Sequence, residues 1–335
     1  MSMCIVNDFT IQSGHHCLFS GLRHLLIRER PELDMEVAEA DIYFQSDGMN
    51  LAYNGNLSTM WLASQETILQ QFAACYGLCV QFTFEVGAAV LDIFREILQE
   101  NRVILIFMRS PYLDYHAVFR DGEERNHILL LFGIDEINQV VQVADTSFLD
   151  GSGQTLSYTG PLSLSQLLAG VWGYTWFEVN PFQKPALNAD ERYHRAIASI
   201  KRFNRRHHLP EGCYQGLEAY RAYVADWSRL IDMKPAEFTD TCKNMYYCLR
   251  IGGIMHQLDY FEQFIGKHRD RVGDSEGMLL QLHNNRNEWK KSLYQLYKIG
   301  LSIQPHKLQP LQERYMSLLQ THEKWLEDFM DRAVQ

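Results

Sequence analysis

Between residues 103 and 145 the chain carries four β-branched or aromatic runs of strand length: VILIFM (103–108), YHAVFR (115–120), HILLLFGI (127–134) and VVQVAD (140–145). DGEERN (121–126) and DEINQ (135–139) read as the turns between the last three. Runs this close together predict a sheet of antiparallel neighbours. What precedes them is mostly helical. Leu18, Leu22, Leu25 and Leu26 share one helical face, predicting a helix over 17–29 that Pro31 ends. Helices are also expected over 60–77 and 88–99, on either side of a strand at 79–85. A Gly, Ser and Thr-rich loop (150–160) then leads to a short helix, SLSQLLAGVW, and a last strand, YTWFEV.

The segment NPFQKPALN (180–188) closes this part, and nearly everything after it follows a helical period. Asn188 is placed to cap a helix that opens on ADER and ends on KRFNRR, with acid first and base last as the helix dipole favours. Further helices fit 213–230, 235–249, 254–268, 275–300 and 306–333. The expected class is α+β, with a first domain over 1–183 and an all-α domain over 184–335. A length of 335 residues fits two domains, and 46% hydrophobic residues suffice for a sizeable core.

A net charge of −10 argues against general nucleic-acid binding, which needs a basic surface. No apolar run approaches the roughly 18 residues of a membrane span. The opening MSMCIVNDFTIQSGHH lacks the charged and apolar regions of a signal peptide. Seven scattered cysteines fit a reducing compartment better than a disulfide framework. A soluble cytoplasmic protein is expected.

Three residues form a chemically suggestive set. Cys17 opens the first predicted helix, whose N-terminus favours thiolate. His127 opens the most apolar strand, and Asp145 ends the strand that a short hairpin pairs with it. A base held on a rigid strand, with a carboxylate to orient it, is what a cysteine nucleophile needs. Taken singly, each residue has an ordinary reading as well. A cysteine at a helix start is more often a small buried hydrophobe. A histidine opening a strand is more often structural, and an aspartate ending one is usually a turn former.

Over HHCLFSGLRHLL, VILIFMRSPYLDYH and NHILLLFGIDEINQVVQVADTSF the chain resembles the butirosin biosynthesis protein H-like family, papain-like acyltransferases found beside non-ribosomal peptide and polyketide clusters. The helical CLRIGGIMHQLDYFEQFI is similar to that family's second domain. The resemblance is strongest over 14–148. It implies a papain-like first domain and acyl transfer, in antibiotic biosynthesis, from a carrier-protein thioester to a small-molecule amine. Cys17, His127 and Asp145 carry over as the site, and no cofactor or metal is implied. The family's acidic residue at the end of the strand near 103–107 is replaced here by Met108 or Arg109. Papain-like enzymes also place a glutamine shortly before the nucleophile as an oxyanion donor. Gln12 stands near that position, one residue short. Amide or thioester hydrolysis by the same residues, and a silent scaffold that binds a carrier protein or peptide, remain open beside acyl transfer.

Other candidates attract blander readings. His15 and His16 are placed to tune Cys17, or simply form a polar loop. Cys75 and Cys79 lack a second pair and read as core, and His207 and His208 have no cysteine nearby to complete a zinc site. Gly252 and Gly253 follow no strand and read as a turn between helices. Lys201, Arg202, Arg205 and Arg206 form the densest basic stretch. It suits either docking of an acidic carrier protein or the end of a helix dipole.

Overall fold

The computed structural model describes residues 3–62, 64–84, 86–87, 89–116, 118, 120, 124–150, 154–179, 186–204 and 213–333. The chain begins with β1 (Met3–Ile5), α1 (Cys17–Glu29), α2 (Glu39–Gln45), β2 (Leu51–Tyr53), β3 (Trp61–Leu62) and α3 (Gln65–Tyr76). It continues with β4 (Leu78–Thr83), α4 (Val90–Gln99), β5 (Ile104–Arg109), β6 (Asn126–Asp135) and β7 (Val140–Leu149). Next come β8 (Thr155–Ser163), α5 (Leu164–Gly170), β9 (Val171–Val179), α6 (Ala189–Asn204), β10 (Tyr214–Gln215) and α7 (Gly216–Ala225). The last four elements are α8 (Pro235–Arg250), α9 (Ile254–Lys267), α10 (Ser275–Leu301) and α11 (Leu308–Ala333). The class is α+β, with a large antiparallel sheet and a helical C-terminal part.

Two compact units emerge. The first comprises Met1–Ile42 and Phe72–Leu187. Its sheet runs β4-β9-β5-β6-β7-β8, with β1 also paired to β6. Strand β5 lies inside, and Ile104 to Met108 are fully buried, which is why that run is continuously apolar. Helix α1 sets Leu18, Phe19, Leu22, Leu25 and Leu26 into this core, and its Gly21 faces Leu105 of β5 and Leu130 of β6.

Two expectations for this unit change. The described residues of the expected strand at 115–120, namely 115, 116, 118 and 120, form no strand. Strand β5 ends in a 3-10 turn at Ser110–Tyr112, and Asp114 and Tyr115 are in a further turn. The Ser110 main-chain N–H still continues the β5–β6 ladder to Arg125 O at 2.8 Å, and Pro111, which has no N–H to give, ends it. The expected loop at 150–160 in fact holds the first part of β8, whose side chains are largely exposed. A polar edge strand carrying Pro161 shows no apolar alternation to read.

The second unit comprises Tyr43–Gln71 and Asn188–Gln335. The division differs from the expected 1–183 and 184–335 in residues 43–71, which group with the C-terminal helices. Aromatic packing is the reason: Tyr43 stacks on Tyr260 at 4.2 Å and Phe44 packs on Phe261 at 4.8 Å. The Tyr53 hydroxyl donates to Asp226 at 2.7 Å, and that of Tyr223 to Leu57 O at 2.9 Å. Strands β10, β2 and β3 form a small sheet in this unit. Helices α10 and α11 run antiparallel, tied by Trp325 Nε1–H to Met278 O at 3.3 Å and by Arg314 to Glu288 at 2.6 Å. Asn188 caps α6 as expected. It exchanges hydrogen bonds with Glu191, main chain to side chain in both directions, at 2.8 and 3.0 Å. Among the described residues no helix is long and apolar enough to cross a membrane.

Candidate active site

Cys17 is the first residue of α1, and His16 is its N-cap. The His16 ring accepts the Leu18 N–H through Nδ1 at 3.1 Å, and the Cys17 sulfur lies 4.0 Å from the same nitrogen. The approach to the helix is fixed from beneath. Glu39, which is buried, accepts the main-chain N–H groups of His15 (3.1 and 3.2 Å) and His16 (3.0 Å). A side chain on Gly14 would collide with Ser20 and with Glu39, so the chain enters the helix this closely only through glycine. The Gly14 N–H donates to Thr146 O at 2.8 Å, which ties the cysteine loop to β7 beside Asp145.

His127 and Asp145 meet because of one extra residue. In the β6–β7 ladder Gly133 pairs with Gln142 and Leu131 with Val143, which leaves Phe132 as a bulge. Side chains alternate faces along a strand, so an unbulged pairing would set Asp145 and His127 on opposite faces. With the bulge they share one face, and His127 Nε2 lies 2.7 Å from Asp145 Oδ2. Both are buried. The β7–β8 ladder shifts again between Asp145 and Phe148, and there the Ser147 N–H donates to Asp145 Oδ1 at 3.1 Å.

Sequence reasoning missed a third donor to this carboxylate. The Tyr115 hydroxyl donates to Asp145 Oδ2 at 3.1 Å. Its ring stacks on Tyr158 at 4.1 Å and meets the edge of Phe148 at 5.3 Å. His116, also buried, packs edge-on against His127 at 4.9 Å between ring centres. Reading 115–120 as a strand hid both residues. The turn formers Pro111 and Asp114 were the available signal.

The electrostatics follow from this packing. Burial alone would push the Cys17 thiol up, but the His127 and His16 rings outweigh it and bring the thiol down to about 6. Burial works against a charged His127, yet Asp145 and the Cys17 thiolate hold its ring well above the usual histidine range. Both shifts favour the thiolate–imidazolium form of the pair. Since His127 meets Asp145 through Nε2, Nδ1 is the nitrogen left for Cys17. Burial, then the neighbouring His127, pushes His116 down to about 4. Burial and then Asp145 hold Tyr115 well above the usual phenol range, so it remains an O–H donor.

Of the other sequence candidates, Gln12 is exposed, and its main-chain N–H and carbonyl each lie 3.2 Å from His24 Nε2. Its oxyanion role rests on sequence position alone. Cys75 is buried and Cys79 partly exposed. Gly252 and Gly253 form the turn between α8 and α9. Lys201 is exposed and Arg202 pairs with Asp47 at 2.8 Å, whereas Arg205, Arg206, His207 and His208 lie outside the described residues. A scan against protein-family models and a sequence search of curated proteins both give no match.

Proposed function

We propose that the N-terminal unit is a papain-like acyltransferase that carries an acyl group on Cys17. One observation bears most of this reading: a helix-opening thiol brought down to about 6 by a histidine that a buried aspartate holds at 2.7 Å. A buried Cys242, with no such partner, is pushed up to about 12 by burial. A silent scaffold has no need of the contrast.

In the proposed reaction the Cys17 thiolate attacks the carbonyl carbon of a thioester. The negative charge that develops on the carbonyl oxygen faces the Cys17 main-chain N–H at the start of α1, the Leu18 N–H being already taken by His16. As the intermediate collapses, the carbon–sulfur bond to the donor breaks, and His127 gives its proton to the departing thiol. An amine then attacks the acyl-cysteine and passes a proton to His127, and Cys17 leaves as thiolate. Asp145 holds the ring in one orientation through both steps. The resemblance over 14–148 supports a carrier-protein thioester as donor and an amine as acceptor, and water in the amine's place would make the same site a hydrolase.

Intact-protein mass spectrometry after incubation with a small acyl-thioester tests the reading. A shift by the acyl mass, mapped to Cys17 and absent in Cys17→Ala, is expected. An unshifted wild-type protein, or label on another cysteine, contradicts it.

A further inference from the structure

His116, His127 and Asp145 each offer one ligand atom, and these atoms all lie within 4.8 Å of one another. All three side chains are buried. Two imidazoles and a carboxylate with one position left open form a donor set suited to zinc-type divalent ions. We propose that this group binds such an ion and that the bound ion stops turnover at Cys17, the second half resting on the acyltransferase reading above.

The movement required is small. Bonds of 2.0–2.2 Å in a tetrahedral site put ligand atoms about 3.3 Å apart. His127 Nε2 and Asp145 Oδ2, at 2.7 Å, would separate by about 0.6 Å, and no other pair need close by more than about 1.5 Å. The outer hydrogen bonds are already in place. Tyr115 and the Ser147 N–H donate to Asp145, as the partners of a metal-binding carboxylate commonly do. Met108 stands opposite His127 in the β5–β6 ladder, so no cation occupies that neighbouring position.

The chemical consequence follows from which nitrogen the ion takes. Coordination at Nε2 releases that nitrogen's proton to solvent and leaves the ring's other proton on Nδ1, facing Cys17. The ring then no longer cycles a proton between leaving thiol and incoming amine. The sulfur itself stays uncoordinated, so its direct alkylation survives while catalytic turnover stops.

Cobalt(II) titration of the purified full-length chain tests this without relying on activity. Wild type and Cys17→Ala are expected to bind one Co²⁺ with visible absorption bands of a low-symmetry site and no near-ultraviolet thiolate band. His116→Gln should lose those bands while its circular dichroism stays unchanged. Cys17→Ala keeps the test decisive even if His116→Gln fails to fold. Absence of the bands in wild type overturns the site, as does their loss in Cys17→Ala, which would place the ion on the thiol. In a parallel assay Zn²⁺ should suppress acyl transfer but leave iodoacetamide labelling of Cys17 intact; transfer that continues with the site full overturns the inhibitory half. Cobalt bands in a protein that no thioester acylates would overturn the acyltransferase reading and leave the metal site standing.

Discussion

At the scale of single residues, three donors converge on Asp145: His127, Tyr115 and the Ser147 main chain. A buried carboxylate needs such partners, and a missing one is expensive. Tyr115→Phe keeps the ring that stacks on Tyr158 and removes only the hydroxyl. The expected result is an acylation rate lower by about tenfold with unchanged KM, since a hydrogen bond to a charged group contributes about 1.5–3 kcal/mol. Stopped-flow or quenched acylation kinetics read this directly, and an unchanged rate removes Tyr115 from the site's positioning. Cys17 and His127 were legible in the sequence because each stands at the start of a strongly patterned element, and Asp145 because it closes the apolar run 140–145, although β7 itself continues to Leu149. Tyr115 and His116 were not, because they lie in a turn whose composition imitates a strand. No periodicity marks a side chain that reaches its partner from irregular backbone.

Among the elements, the strands at 104–109, 126–135 and 140–149 were visible because both faces of an interior strand are apolar. The helices of the C-terminal part were visible through their single apolar face. The bulge was not, since Phe132 looks like any other residue of an apolar run, yet it decides on which face Asp145 lies. Gly133, next to it, allows β1 to approach: a Cβ there would sit 2.9 Å from Ile5 Cγ1 and 3.3 Å from Cys4 O. Gly133→Ala is therefore expected to destabilise the protein by about 1–3 kcal/mol, the usual cost of overpacking. A chemical denaturation midpoint measures it. A midpoint equal to wild type would show that β1 yields freely and that the bulge is not pinned from that side.

For the whole molecule, the division into two units has a consequence that a linear boundary conceals. Residues 43–71 pack Tyr43, Phe44, Tyr53 and Leu57 with the C-terminal helices. The sequence conceals this because the joining contacts span some two hundred positions and leave no local pattern. A chain ended after Leu187 would expose those apolar side chains, and it is expected to aggregate or to resist purification as a monomer. Size-exclusion chromatography of that truncation gives the answer, and a stable, monodisperse product would contradict the division.

The central claim is that His127 keeps Cys17 as a thiolate near neutral pH. A thiol at about 6 is about 90% ionised at pH 7, against about 1% for one at 9.0. The sign is plain: reactivity is lost as pH falls through about 6, because the thiolate takes up a proton there. The direct measurement is the rate of iodoacetamide labelling of the Cys17 peptide, followed by mass spectrometry from pH 4 to 10. The account predicts a midpoint near 6 in wild type and an upward shift toward the ordinary thiol range in His127→Ala. A wild-type midpoint in the ordinary range, or one that His127→Ala leaves in place, would contradict it.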